Sequence, residues 1–229
     1  MRAPLTILIP ALNAERSLPG CTAALFEGLD AGLVRELIVS DGGSTDDTEA
    51  IALRLGAEVV TGPPSRGGQL RRGAAQAGGA WLLVLHADTQ LDPGWSEAVL
   101  AHMRARPDRA ACFRLAFDQP GTAARITAGW ANLRTRLFGL PYGDQGLLIP
   151  MSLYRDIGGY DDIPLMEDVA LARKLGRRRL TCLPLCARTS ARRYREDGWL
   201  RRGGANLLLL LRYLGGARPA DLARRYGRG

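Results

Sequence analysis

Residues 81–88, Trp-Leu-Leu-Val-Leu-His-Ala-Asp, decide the fold of this chain. Five apolar residues in unbroken succession are the pattern of a strand buried on both faces. The polar His86-Ala87-Asp88 that follows marks the strand's carboxyl end. Such strands belong to parallel sheets covered by helices, and the segments upstream keep the matching rhythm. Short apolar runs at 5–9, 36–39 and 57–60 alternate with helical patterns at 18–29, 46–55 and 67–77. This order predicts an α/β fold with a mostly parallel central sheet flanked by helices. In open sheets of this kind, ligands bind beyond the carboxyl ends of the strands. Asn13, Asp41 and Asp88 each stand just past a predicted strand, so three separate turns converge on one crevice.

The second half is less regular. A strand is predicted over 110–117, a helix over 123–138 and a glycine-bounded turn into a short strand over 143–149. A helix over 165–175 carries acids in its first turn and bases in its last, matching the helix dipole. A strand over 179–185 follows, and two helices separated near 215–219 fill residues 198 to the end. At 229 residues with 46% hydrophobic content and 28 glycines, the chain suits one compact domain rich in strand-to-helix turns and excludes a disordered one.

The formal charge of +8 is almost all arginine, with Lys174 the only lysine. It favours anionic partners, although a compositional bias toward arginine accounts for it equally well. Cys21, Cys112, Cys182 and Cys186 match neither a zinc nor a redox spacing, so reduced thiols are expected. The start of the chain carries no signal-peptide pattern. The longest apolar stretch, 207–211, is far short of the ~20 residues that span a bilayer. The expected location is cytoplasmic, with a peripheral contact at the inner membrane face left open.

Three stretches carry chemistry. Ile9-Pro10-Ala11-Leu12-Asn13-Ala14-Glu15 is a strand edge breaking at proline into a polar turn. In Val39-Ser40-Asp41-Gly42-Gly43-Ser44-Thr45-Asp46 the acid ends a strand and the glycines permit unusual backbone angles. Asp46 is placed there to cap the next helix. Leu85-His86-Ala87-Asp88-Thr89 is the third. In this order they resemble the nucleotide-binding half of family-2 glycosyltransferases, which have a GT-A, Rossmann-like fold. That family has a Pro-x-x-Asn turn, then a strand ending in Asp-Asp-Gly-Ser-x-Asp, then an Asp-x-Asp pair. Here Gly42 replaces the second acid, and His86-Ala87-Asp88 stands at the Asp-x-Asp position. Downstream, Gly143-Asp144-Gln145-Gly146, Gly158-Gly159-Tyr160 and Pro164-Leu165-Met166-Glu167-Asp168 resemble the acceptor side of the same family. The resemblance covers 5–176 and is greatest to a short bacterial branch known as selenodomain-associated glycosyltransferases.

The resemblance implies a glycosyltransferase domain over 1–190, with a donor half at 1–95 and an acceptor half at 96–190. Residues 191–229 form a helical extension. It implies transfer of a sugar from a UDP- or GDP-sugar to an unidentified acceptor, aided by Mn²⁺ or Mg²⁺. Asp88 is the implied metal ligand, and Asp41 the acceptor of a nucleobase hydrogen bond. Pro10, Ala11, Asn13, Glu15, Gly43 and Ala87 then line the base and ribose. His86 departs from the pattern: a neutral imidazole binds Mn²⁺ but is a poor Mg²⁺ ligand, so it is placed in the nucleotide pocket. Asp168 is the expected base, with Glu167 second; helix capping is the alternative, and alone it would explain one of the two acids.

Arg66 and Arg72, at the start of a helix in Arg66-Gly67-Gly68-Gln69-Leu70-Arg71-Arg72, suit a diphosphate, as an exposed basic face also explains. Asp144, Gln145, Arg192 and Arg193 are weaker candidates for the acceptor or diphosphate. The leucine- and arginine-rich 199–211 stretch leaves three roles open: a packed helix, an interfacial membrane contact, or a homodimer surface. Nucleic acid is not expected as a partner, because the arginines are scattered and form no aromatic–basic stripe. A nucleotidyltransferase usually shows a glycine-rich loop with lysine near the first strand, which 11–18 lacks. A non-catalytic nucleotide-sugar binding protein remains the other alternative.

Overall fold

The alternating runs of the first hundred positions fold in the order their pattern demands. In the computed structural model, which describes residues 3–226, β1 (Leu5–Ala11) leads through α1 (Leu18–Ala23) and α2 (Phe26–Asp30) to β2 (Val34–Asp41). Helix α3 (Thr48–Arg54), β3 (Glu58–Thr61), α4 (Arg66–Gln76) and β4 (Trp81–Val84) follow. These four strands are parallel, in the order β3-β2-β1-β4. Every residue of β4 is buried, as its lack of alternation predicts.

The remaining elements make the sheet mixed. They begin with β5 (Thr89–Leu91), α5 (Trp95–Ala105), β6 (Ala110–Phe117) and α6 (Thr122–Phe138). A 3₁₀ turn at Gly143–Gln145 then enters β7 (Leu147–Pro150), followed by α7 (Met151–Asp156), α8 (Glu167–Leu175) and β8 (Leu180–Thr189). Strand β7 runs antiparallel between β4 and β6, β8 lies parallel to β6, and β5 closes the edge antiparallel to β8. The order β3-β2-β1-β4-β7-β6-β8-β5 is therefore one sheet shared by both halves of the chain. Alternate residues of its strands feed opposite core layers. Ile7, Ile9, Leu83, Trp95 and Phe113 lie on one side, and Leu8, Ile38, Leu82, Ile149 and Leu171 on the other.

The structure refines several boundaries. The helix expected over 18–29 is broken in two, because the Trp95 indole donates to the Ala24 carbonyl (2.8 Å) and takes it out of the helical ladder. Helix α8 starts at Glu167 rather than 165, since Met166 adopts a left-handed backbone (φ 65°). Strand β8 runs four residues past the expected 185 because β5, a three-residue strand without a sequence pattern of its own, pairs with its end. After it come α9 (Arg192–Asp197), α10 (Trp199–Leu214) and α11 (Pro219–Tyr226). The last two are the helices expected from 198 onward; residues 227–229 of that expectation, and 1–2 of the expected domain, lie outside the described residues.

Candidate active site

Parallel strands bring the turns after β1, β2 and β4 to one edge of the sheet. Asn13, in a left-handed conformation (φ 51°) that asparagine tolerates, laces the first two together. Its Oδ1 accepts from the Thr45 N–H (2.9 Å) and its own N–H donates to Ser44 Oγ (2.8 Å). The Glu15 N–H donates to Asp46 Oδ2 (3.1 Å), and the Asp47 N–H to Glu15 Oε2 (3.3 Å). The N-cap of α3 is Asp47 rather than the expected Asp46, which stands one residue earlier and accepts from the N–H of the first helical residue, Thr48, through Oδ1 (3.1 Å). Asp41, 1% exposed, accepts from the N–H groups of Gly43 and Ser44 (2.7 Å each) and from Ser44 Oγ (2.5 Å). Its carboxylate therefore shapes the turn and keeps little capacity for another donor.

Gln69 was not among the residues expected at the site. Buried on α4, its Nε2 donates to the carbonyls of Ala11 (2.7 Å) and Ser40 (3.0 Å), clamping the ends of β1 and β2. The Ala11 side chain itself is 2% exposed and belongs to the core, and Ala87 is 9% exposed. Arg72 donates to the carbonyls of Pro63 (3.1 Å) and Asp41 (3.5 Å), so it braces β2 and the loop after β3.

A second group assembles around the turn after β4. The His86 ring lies against Gly143, where a Cβ would stand 2.2 Å from Nε2; only glycine admits that approach. The Gly143 N–H in turn donates to Asp168 Oδ2 (2.9 Å), while Asp168 Oδ1 accepts from the Val169 N–H (2.7 Å). Two backbone donors thus hold the half-buried Asp168 facing His86. Burial, then Arg66, holds His86 below its ordinary range, against Asp88 and Asp168, which act the other way. The ring is neutral at pH 7. Burial also pushes Asp144 up to about 6, opposed by Arg134 and Arg66 and reinforced by Asp168 and Asp88. Burial and then Asp168 push Glu167, 2% exposed, up to about 8. These couplings place His86, Asp88, Asp144, Glu167, Asp168 and Arg66 in one electrostatic neighbourhood, with Arg193 reaching His86 from α9.

The glycines of Arg66-Gly67-Gly68 explain how Arg66 arrives there. A Cβ on Gly67 would stand 2.0 Å from the Asp161 carbonyl oxygen, so the helix start seats directly on the 161–163 segment that leads into α8. The Gly67 N–H donates to the Ile163 carbonyl (3.0 Å), and Ser65 Oγ donates to Asp162 (2.8 Å). Two weaker candidates stand elsewhere. Gln145, 1% exposed, accepts from Thr135 Oγ1 (2.7 Å) and donates to the Phe113 carbonyl (3.2 Å), inside the fold. Arg192 is exposed beside Glu196 (3.9 Å).

The donor set fits a divalent cation held chiefly by a substrate's phosphates. Hard dications accept one or two protein carboxylates when other oxygens complete their shell. Asp88 is exposed at the crevice, and Asp144 Oδ1 is buried without a hydrogen-bond partner. Such an orphan costs about 1–3 kcal/mol unless a positive group meets it. Among the described residues no three His, Cys, Asp or Glu side chains form a closed protein cage.

The arrangement has counterparts. The architecture is that of GT-A glycosyltransferases: S. aureus TarS residues 1–349 superpose with a TM-score of 0.63 at 13% identity, covering 90% of this chain and 64% of that one. Mannosyl-3-phosphoglycerate synthase from Rubrobacter xylanophilus superposes with a TM-score of 0.62 at 20% identity, over 90% of this chain and 71% of that one. The model of Glycosyl transferase family 2 matches residues 6–154, and the chain belongs to that family. An uncharacterised glycosyltransferase of Mycobacterium bovis is 39% identical over 90 residues, 39% of this chain and 38% of that protein. Glucosyl-3-phosphoglycerate synthase of Mycobacterium tuberculosis is 36% identical over 93 residues, 37% of this chain and 28% of that protein. The matches thus span less than two fifths of these relatives' own length.

Proposed function

We propose that this chain transfers a sugar from a UDP- or GDP-sugar to an acceptor hydroxyl, with inversion and with a divalent cation. The observation that carries this reading is the meeting of Asp88, Asp144, Asp168, neutral His86 and Arg66 in the crevice beyond β4. The tied turns at 13–15 and 41–46 would receive the base and ribose, with Pro10, Ala11 and Ala87 contributing backbone more than side chain. Arg66 and Arg193 would face the diphosphate. Asp88 and Asp144 would hold Mn²⁺ or Mg²⁺, which supplies neutralisation of the charge developing on the leaving group.

Asp168 is the proposed base. It takes the proton of the acceptor hydroxyl as that oxygen bonds to the anomeric carbon. The anomeric carbon–oxygen bond to phosphate breaks, and its electron pair leaves with the nucleoside diphosphate. Burial and Asp168 raise Glu167 to about 8, which favours its protonated form over the free carboxylate that a base needs. The donor class is supported by two neighbours: TarS was solved with UDP-GlcNAc, and M. tuberculosis glucosyl-3-phosphoglycerate synthase with Mn²⁺ and UDP-glucose. In this reading the donor half is 1–95 and the acceptor half 96–190, joined by the continuous sheet, and 191–229 is the extension. Titration calorimetry with UDP- and GDP-sugars, with and without Mn²⁺, tests it. One donor binds the wild type in a Mn²⁺-dependent manner, and Asp88→Ala loses that dependence. An unchanged donor affinity in Asp88→Ala would sink the metal assignment.

A further inference from the structure

Helix α6 is amphipathic in the wrong sense for a surface helix. Its buried face is built of small or polar side chains, Ala124, Ala128, Ala131 and Thr135. Its large apolar residues point outward: Ile126 is 67% exposed, Trp130 50%, Leu133 45%, Leu137 48% and Phe138 62%. The first four, at i, i+4, i+7 and i+11, make a continuous stripe along the helix. The neighbouring α10 packs Leu209 and Leu210 against Leu165, Met166 and Val169, yet it also exposes large apolar residues: Leu200, Leu207, Leu208, Leu211 and Leu214. Exposed apolar surface of this extent on a soluble domain marks a contact surface.

The charge on these helices says what covers them. Neither contains a single acid, and their exposed arginines are Arg125, Arg136, Arg201 and Arg212, while Arg134 is buried over Tyr142 and Arg202 pairs with Asp197 (2.9 Å). At the carboxyl end of α6 a cavity of about 580 Å³ opens beside the stripe, lined by Arg109, Arg136, Arg177 and Arg178 with Thr135, Gly139 and Cys182. Among the described residues, none of those four arginines is ion-paired with a carboxylate. The cavity sits at the amino ends of β6 and β8, two and three strands across the sheet from β4, and none of His86, Asp88, Asp144, Asp168 and Arg66 lines it, so it is not part of the donor site. A second copy of this chain would bring like charge to like charge. A bilayer with anionic headgroups matches both features, apolar chains to the stripe and phosphates to the arginines.

We infer that α6 and α10 form an interfacial face that docks on an anionic lipid surface, with headgroup phosphates received by the arginine cavity at the end of α6. The inference rests on surface alone and stands or falls apart from the transferase reading. No helix among the described residues is long and apolar enough to cross a membrane, so the contact is peripheral.

Sedimentation of the full chain with phosphatidylcholine vesicles, with and without phosphatidylglycerol, tests it. The wild type pellets with the anionic vesicles and not with the neutral ones, and high salt weakens the association. Trp130 emission moves to shorter wavelength on binding, and Trp130→Phe removes that signal. The double variant Ile126→Glu/Leu137→Glu, at exposed positions that leave the melting temperature unchanged, lowers partitioning by about tenfold or more. Arg136→Ala and Arg178→Ala each lower it about fivefold. Equal binding to neutral vesicles, unaltered partitioning of the double glutamate variant, or no sedimentation at low salt would overturn the inference. A vesicle-independent dimer dissolved by Ile126→Glu/Leu137→Glu would overturn it too, assigning the face to a second copy.

Discussion

At the carboxyl ends of β1 and β2 the two turns are bonded to each other through Asn13, Glu15, Ser44 and Asp46, and Asp41 folds its own turn with three donors. Across the crevice, at the 143–145 turn and the start of α8, the pattern is reversed. There Asp144 Oδ1 and Glu167 Oε2 are buried with no partner, and Met166 sits at a positive φ that a non-glycine residue adopts at a cost of about 1–3 kcal/mol. The carboxylates and turns of the first region are bonded without a ligand, and its only unpartnered buried atoms are the uncharged Ser40 Oγ and the Nε of Arg72, whose Nη2 is already bonded. The second holds uncompensated polarity that only a bound cation, proton or substrate satisfies, and that is where chemistry is expected.

The largest effect belongs to the second region. Asp168→Asn keeps the shape and removes the acceptor of a proton, so kcat falls by about 10²- to 10⁴-fold while donor affinity stays as it was. Single-turnover assays beside calorimetry separate the two. A matching fall in donor affinity would show that Asp168 serves binding, and the contrast between the regions would lose its catalytic meaning. Gly143→Ala comes next. The new methyl overlaps His86 Nε2 and shifts either the ring or the N–H that holds Asp168, with about a 10²-fold loss of transfer. Full activity in Gly143→Ala would mean that the turn yields and the close approach has no function.

Proton linkage gives the third prediction. Glu167 and Asp144 have folded-state pKa values raised to about 8 and about 6, above the ordinary 4.5 and 3.8, so these two groups bind more protons in the folded chain than in the unfolded chain between pH 4 and pH 8. His86 and His102, held low by burial, act the other way. The stability the two acids contribute is then greatest at the acid end of that window and falls as pH rises through it, by on the order of 1 kcal/mol per unit of pKa difference. Glu167→Gln flattens the upper part of the fall, as denaturant melts at pH 5, 7 and 8.5 reveal. Mn²⁺ opposes it where Asp144 ionises, so metal affinity rises as pH passes about 6. A pH profile of stability that Glu167→Gln leaves unchanged would break the account of the second region as uncompensated.

How much of this the sequence displays follows the same divide. Turns after strands announce themselves through short polar residues and glycines, so Asn13, Asp41, Asp46 and Asp88 were all legible, as was the buried β4. Strand β5 and the reversal of β7 were not: three residues have no periodicity, and strand direction depends on partners far along the chain. Gln69 was invisible because a glutamine on a helix reads as solvent-facing until its two carbonyl partners are known. Gln145 was legible as a residue but not as a place, since its neighbours Thr135 and Phe113 come from other elements. The outward stripe of α6 has helical spacing, and spacing alone cannot say which face meets the core.

The smallest effect tests whether the first region is as self-sufficient as its bonding suggests. Asn13 contributes two separable things, a left-handed backbone and a side-chain oxygen that accepts from Thr45. Asn13→Gly keeps the backbone and loses the oxygen; Asn13→Ala loses the oxygen and strains the backbone as well. A side-chain hydrogen bond at an exposed turn is worth about 0.5–1.5 kcal/mol, and placing alanine at positive φ adds about 1 kcal/mol. Asn13→Gly is therefore expected to lower stability by about 1 kcal/mol and Asn13→Ala by about 2 kcal/mol, measured as shifts in denaturant midpoint. Donor affinity should fall with Asn13→Ala more than with Asn13→Gly, because a displaced backbone moves Glu15 and Ser44 together. If both variants instead keep wild-type stability and lose donor binding equally, Asn13 contacts the nucleotide itself, and the first region is completed by its ligand just as the second is.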